Sequence, residues 1–350
     1  MFFWKASQGE ERIFRVGSII VYHRRVSGIL ETIQIEGLET LYTNRGDVGR
    51  IAETVMMGAD LQMEEVDCPV CEASKGEPLY REGSFQMVRC PSCQFVFLNP
   101  RPTAESLLSF YQDYLPEEES SIESWEKMMK SIFHRAATLL GQYRTDGRLL
   151  DVGAGFGFFL TEMKNKGWEV AGVEISRKAI DYARDVLRLT VHLGPAEKVG
   201  FPDNYFDAVT GLYVIEHLPH PLAFLRECYR ILKPGGLLLL RYPHTTPIKN
   251  VLHLFGIRNR LYALPAHLSD FSPKMIQQCL EKIGFRKCQH LIGGYTRPGD
   301  PGKRAASILF GSVSEAVFFL SRKKLLLPGV SKTVLAYKGN WSDGFVTVES

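Results

Sequence analysis

From Gly147 onward, short apolar runs recur at the spacing that alternates strands with helices: RLLDVGAG, WEVAGVEIS, LTVHL, FDAVTGLYVI and GLLLLRYP. That alternation argues for a doubly wound α/β domain, a parallel sheet covered by helices on both faces. Upstream, LYREGSFQMVRC and FVFLN read as strands of a compact ribbon. Two helical stretches, Thr103 to Gln112 and Ser121 to Tyr143, follow it, and Ser272-Pro273 opens a later helix. Residues 1–62 hold apolar runs such as Val16 to Tyr22, but no motif and no sustained period. The expected organisation is an unassigned, weakly ordered extension over 1–62, a ribbon over 63–102, a helical linker over 103–145 and the α/β domain over 146–350.

Composition narrows the partners. Lys and Arg number 42 against 39 Asp and Glu, and no basic run stands out, so the footprint of a dedicated nucleic-acid binder is missing. No run of 18 apolar residues occurs, and the opening MFFWKASQGEERIF lacks the regions of a secretory signal, so a cytoplasmic location is expected. Thiols stay reduced there. Four of the seven cysteines, set as two CxxC pairs, therefore point to metal rather than to disulfides.

Asp151-Val152-Gly153-Ala154-Gly155-Phe156-Gly157 follows an apolar strand and opens a helix, which places glycines where a backbone must approach a ligand. The dinucleotide fingerprint is GxGxxG, whereas this stretch is DxGxGxG with a carboxylate on the strand itself. A pyrophosphate would be repelled by Asp151. S-adenosylmethionine, with an ammonium and a sulfonium and no phosphate, would be favoured. Glu174 ends the next strand, where a carboxylate can accept from both ribose hydroxyls. Ala196 and Glu197 follow the third strand and can meet the adenine edge. Gly211 and Leu212 end the fourth, beside the crevice in which ligands of open α/β sheets bind.

LLDVGAGFGFFL, GVEIS, PAEKVGFPDNYFDAVTGLYVIEHL and LKPGG, in this order and spacing, resemble the class I methyltransferases over about Arg148 to Gly236. The resemblance implies a Rossmann-like methyltransferase sheet in which Asp151, Gly153, Gly155 and Glu174 contact S-adenosylmethionine and Lys233 to Gly236 form a structural turn. A tight βα turn in some other Rossmann-like protein is the competing reading.

Cys68, Cys71, Cys90 and Cys93 form CxxC-x18-CxxC, the spacing of a tetrahedral four-thiolate zinc site with no open position. Iron and a redox dithiol remain alternatives. With FVFLNPRP and the glycine-rich domain behind it, the module resembles bacterial methyltransferases that carry an N-terminal zinc ribbon, sugar-modifying relatives among them. Cys228, Cys279 and Cys288 read as buried packing.

Methyl transfer needs alignment of two ligands and the handling of one proton. His217, in Glu216-His217 after the fourth strand, has the place and the near-neutral pKa expected of a base, with helix-end packing as the alternative. His267, in HLSDFSPKMIQQCLEKIGF, is the second candidate, because a similar element borders the substrate pocket in relatives; His220 and His244 belong to no comparable motif. Tyr242 to Phe271, rich in proline and aromatics, reads as a lid. Ile308 to Leu320, followed by Arg322, Lys323 and Lys324, could lie on the inner membrane face, although core or dimer packing is the preferred reading.

GLYVIEHL replaces the Asn/Asp-Pro-Pro-Tyr element that holds an exocyclic amine, which disfavours methylation of adenine or glutamine. The expected acceptor is an oxygen, with carbon as the alternative, of a small molecule, sugar or glycolipid. Two rival readings stand beside this one: an RNA methyltransferase gripping RNA through the ribbon, and a non-enzymatic interaction protein scaffolded by zinc.

Overall fold

The computed structural model describes residues 12–16, 19–26, 29–35, 61–112, 115, 119–256, 261–292, 301–322, 326–327 and 331–339. The chain divides into two compact units, Met1–Gly46 and Asp47–Ser350. In the first, β1 (Arg12–Val16), β2 (Ile19–Val26) and β3 (Ile29–Ile35) make an antiparallel meander in which Val16 pairs with Ile19 and Val26 with Ile29. The sequence reading assigned nothing there. The available signal was the pair of two-residue connectors, Gly17-Ser18 and Ser27-Gly28, whose composition and length suit tight hairpins.

The second unit opens with β4 (Met63–Glu64), the hairpin β5 (Glu77–Glu82) and β6 (Phe85–Arg89), β7 (Val96–Leu98) and β8 (Arg101–Pro102). Helices α1 (Ala104–Gln112) and α2 (Glu119–Tyr143) follow. The α/β chain then runs through β9 (Gly147–Val152), α3 (Phe158–Asn165), β10 (Trp168–Glu174), α4 (Arg177–Asp185), β11 (Val191–Leu193), α5 (Ala196–Val199), β12 (Phe206–Leu212), α6 (Pro221–Ile231) and β13 (Leu232–Tyr242). After α7 (Thr246–Leu254) come β14 (Ser269–Asp270), α8 (Pro273–Ile283), β15 (Phe285–Leu291), α9 (Pro301–Leu320) and β16 (Lys332–Lys338).

Seven strands form the main sheet in the order β11-β10-β9-β12-β13-β16-β15. Strands β9 to β13 pair in parallel, as the apolar runs suggested, while β16 is antiparallel to both neighbours. The chain starts at β9, moves outward to β11 and returns on the other side at β12, which puts the topological switch point between β9 and β12. Successive strand residues face opposite sides. Leu238 and Leu240 join a core with α6 and α8, whereas Leu237 and Leu239 join one with α2 and α3. Burial on both faces explains the uninterrupted run GLLLL. Lys233 to Gly236 lie in a register shift at the start of β13, between the pairs Phe206–Leu232 and Ala208–Leu237.

The ribbon sheet has the order β14-β7-β6-β5, so Ser269 and Asp270 of the α/β region supply its fourth strand, pairing with Phe97 and Val96. Phe95 and Phe97 accordingly share one core with Phe271 and Ile276. Helix α8 begins as anticipated, with the Ser272 side chain accepting from the Met275 amide and Pro273 in the first turn. On α9 the buried side chains include Ser314 and Phe318, while Leu309, Val313, Phe319 and Leu320 are exposed. Lys323 and Lys324, the basic end of that segment, lie outside the described residues. No helix among the described residues is long and apolar enough to cross a membrane.

Candidate active site

Strand β9 delivers Asp151 to a turn in which Gly153 and Gly155 have φ of 73° and 52°, the left-handed region that glycine enters without penalty. At Gly153 an added Cβ would lie 2.4 Å from Val214 Cγ2. Asp151 is 3% exposed and accepts from Thr210 Oγ1 at 2.5 Å. Burial, opposed by that hydrogen bond and reinforced by the charge of Glu174, pushes its pKa up to about 7.

Glu174, buried at the end of β10, accepts from the amides of Gly155 (2.8 Å), Ile175 (2.8 Å) and Ser176 (2.9 Å). Three of a carboxylate's roughly four acceptor sites are thus engaged, so contact with two ribose hydroxyls requires one amide to yield. Two observations fit a cationic, hydroxyl-bearing cofactor here. No ion pair among the described residues involves Asp151 or Glu174, so no cationic side chain occupies the place a cationic ligand would take. The Ser176 hydroxyl, two residues beyond Glu174, is buried without a hydrogen-bond partner.

The other expected contacts are placed less directly. Ala196 is buried and Glu197 exposed on the short α5. Gly211 and Leu212 are buried in β12, where Gly211 leaves room for Leu240 and Phe224, at 3.1 and 3.3 Å from an added Cβ, which is a packing requirement.

Residues of the helical stretch complete the cradle, and no motif announced them. Gln112 donates to the Ile175 carbonyl at 2.8 Å and accepts from the Arg177 amide at 3.3 Å, pinning the loop after β10. Trp125 packs edge-on against Phe156 and lies 3.4 Å from an added Cβ at Gly155.

On the acceptor side, Glu216 and His217 sit in a 3-10 turn (Ile215–His217) after β12, two residues beyond the Val214 that covers Gly153. The structure brings His217 and His267 together, with ring centroids 4.8 Å apart. Donor atoms of Glu216, His217 and His267 all lie within 4.8 Å of one another. His217 Nδ1 is 2.9 Å from the Ala266 carbonyl and 2.8 Å from the Tyr111 hydroxyl. Burial, against the Ala266 contact, lowers His217 to about 4, and burial with the neighbouring His217 lowers His267 to about 3, so both rings are held uncharged and neither has the near-neutral pKa that the sequence position suggested. Glu216 is 1% exposed, both its carboxylate oxygens lack a hydrogen-bond partner, and burial pushes it up to about 8. Sequence reasoning gave Glu216 no role, although an acid directly after a run as apolar as LYVI is itself a signal.

The wall behind this cluster is held by the ribbon. Lys249 of α7 and Glu82 of β5 form an ion pair, 5% and 9% exposed, with Lys249 Nζ 5.4 and 5.1 Å from the ring centroids of Tyr80 and Tyr262. Asp270 accepts from the Thr245 and Thr246 amides at the start of α7.

All four motif cysteines converge. Cys68 Sγ is 3.5 Å from Cys93 Sγ and Cys71 Sγ is 3.5 Å from Cys90 Sγ. Four thiolates about 2.3 Å from one ion stand about 3.8 Å apart, so the spacing fits a tetrahedral shell and is far too long for disulfides. Amides turn toward the sulfurs in matching fashion, those of Val70 and Cys71 to Cys68 and those of Ser92 and Cys93 to Cys90. The residues that close the two knuckles, Glu72 and Gln94, both have left-handed φ, 59° and 66°.

Residues 124–290 match the family described as Methyltransferase domain. Among curated relatives, the Ubiquinone biosynthesis O-methyltransferase of Alkalilimnicola ehrlichii is 32% identical over 130 residues, 35% of this chain and 53% of the relative. Its counterparts from Nitrosococcus oceani (27%, 43% of this chain and 68% of the relative) and Xanthomonas oryzae pv. oryzae (34%, 35% and 56%) are similar. The chain thus spans about half to two thirds of the length of these relatives. Solved structures resembling it include a SAM dependent methyltransferase from Archaeoglobus fulgidus (20% identity, TM-score 0.45, 63% of this chain and all of that one). Another is Haemonchus contortus phosphoethanolamine N-methyltransferase 2 (16%, 0.46, 84% and 75%). Over residues 124–290, this chain carries a methyltransferase domain.

Proposed function

We propose that the chain transfers a methyl group from S-adenosylmethionine to a hydroxyl oxygen of a small-molecule acceptor. The observation that carries this reading is a pair of buried carboxylates without a cationic side-chain partner among the described residues, Asp151 and Glu174, beside a left-handed glycine turn that adjoins the Glu216–His217–His267 cluster through Val214. S-adenosylmethionine supplies an electrophilic methyl on a sulfonium. Asp151 and Glu174 attract its positive charge and its hydroxyls, and Trp125 closes the glycine turn from outside. The polar cluster meets the acceptor hydroxyl and takes its proton through nitrogen and oxygen lone pairs, while the wall formed by α7 and β14 excludes water.

Oxygen is favoured over an amine because the β12 strand lacks the acceptor-rich element that would hold an exocyclic amine. The named relatives are O-methyltransferases, in keeping with this choice. A sugar or lipid-linked hydroxyl falls within the class. The four cysteines hold a structural zinc ion, and the ribbon acts inward: its β7 edge is taken by β14 and its β5 strand by Lys249. That inward use supports a small acceptor over RNA. Cell extract incubated with the full chain and methyl-labelled cofactor should show label in small-molecule, carbohydrate or lipid fractions. Label confined to RNA, or none in any fraction, would refute the reading.

A further inference from the structure

We propose that Glu216, His217 and His267 form a mononuclear site for a divalent transition-metal ion on the acceptor side, separate from the four-cysteine site. One donor atom from each lies within 4.8 Å of the others. Glu216 is the residue that most needs a partner. It is 1% exposed, both carboxylate oxygens lack a hydrogen bond, and a buried carboxyl group in that condition is costly unless something polar or cationic meets it. Its backbone is fixed by the Leu268 amide, which donates to the Glu216 carbonyl at 2.7 Å and thereby joins the Glu216–His217 turn to the His267 segment.

The orientation of His217 is compatible with ligation. Its Nδ1 lies 2.9 Å from the Ala266 carbonyl oxygen and 2.8 Å from the Tyr111 hydroxyl; in the tautomer with Nδ1–H donating to that carbonyl, the Nε2 lone pair faces Glu216 Oε1, 4.0 Å away. Histidines that ligate metals are oriented in this manner by a carbonyl on the far nitrogen. Two imidazoles and one carboxylate make a donor set for zinc, iron(II) or manganese(II) that leaves coordination positions open, unlike the closed shell of four thiolates. Donors about 2.0–2.2 Å from one ion stand about 3.0–3.5 Å apart, so the three must draw inward on binding. The Glu216 carboxylate has no hydrogen bond to break in doing so.

The role of such an ion rests on the reading of the chain as an O-methyltransferase. The acceptor hydroxyl would occupy an open position and pass its proton to the Glu216 carboxylate oxygen that does not ligate. Its lone pair then forms the O–CH3 bond as the C–S bond breaks, with that electron pair staying on sulfur.

Zinc is the probe. The full-length chain, saturated with zinc and freed of excess by gel filtration, is assayed for metal per chain by plasma mass spectrometry, alongside Glu216→Gln, His267→Ala and Cys71→Ser. The expected counts are two for the wild type and one for Glu216→Gln and for His267→Ala, with S-adenosylmethionine binding retained as the check on folding. Cys71→Ser should keep the ion held by nitrogen and oxygen, which cobalt substitution reads as weak d-d bands without thiolate charge transfer. One zinc in the wild type, or two in every variant, would overturn the site. Methyl transfer that persists in a protein holding only the cysteine-bound ion would sink this inference and leave the function intact.

Discussion

Asp207 gathers three partners at the base of the sheet: the Arg148 amide at 2.9 Å, Arg144 Nη1 at 2.8 Å and Lys233 Nζ at 2.7 Å. Although burial pushes its pKa upward, the Arg148 amide and Lys233 outweigh it, and the carboxyl is held below the ordinary range. A depressed folded pKa means that the contribution to stability is present above the unfolded value, about 3.9, and is lost as pH falls through the folded one. Asp207→Asn should therefore lower stability at pH 7 by about 1–3 kcal/mol, and denaturant titrations should show the gap from wild type closing below about pH 4. A gap independent of pH would contradict the assignment. Lys233 of the LKPGG turn thus has a specific electrostatic anchor, beyond its value as a fold marker. At this scale the two acids proposed to hold the cofactor were legible as a pair, because Asp151 and Glu174 sit near the ends of apolar strands at fixed spacing around glycines. Tyr111, Gln112 and Trp125 were not. Each acts through a contact with residues far along the chain, which neither periodicity nor local motif encodes.

Among elements, the lid region and the ribbon depend on each other. Lys249 of α7 and Glu82 of β5 are buried together, so removing one charge strands the other. Glu82→Gln should destabilise the protein by about 3–5 kcal/mol, whereas the pair Glu82→Leu with Lys249→Met should recover most of that loss in thermal unfolding. Additive losses in the double variant would show that the pair is not coupled. The parallel strands were readable as elements because burial on both faces leaves continuous apolar runs. Strands β15 and β16 were harder. FRKCQHL is an edge strand carrying charges and a register shift near Lys287, whose φ is 52°, and KTVLAYK is short. The meander β1 to β3 lay hidden for another reason, since its strands mix charges and apolar residues with no sustained alternation.

Across the Asp47–Ser350 unit, the cysteine module is part of one core rather than an appended bead. Cys68, Cys90, Phe95 and Phe97 share a cluster with Phe271 and Ile276, and β14 completes the ribbon sheet. Chelation of the metal proposed at the four cysteines should lower the unfolding temperature of the whole unit and loosen the β14 wall. Calorimetry should show this as a shift of the main transition. A separate small transition, with the main one unmoved, would mean that the ribbon is an independent module. The central claim remains that buried negative charge at the ends of β9 and β10 captures a cationic cofactor. Its most direct test is isothermal titration of the full chain with S-adenosylmethionine from pH 6 to pH 8.5, repeated with Asp151→Asn. Because the Asp151 pKa stands at about 7, wild-type affinity should fall about tenfold per unit as pH drops below 7 and level off above it. The variant should bind about 10- to 100-fold more weakly at pH 8 and lose that dependence. Equal affinity in both proteins across the range would contradict the account.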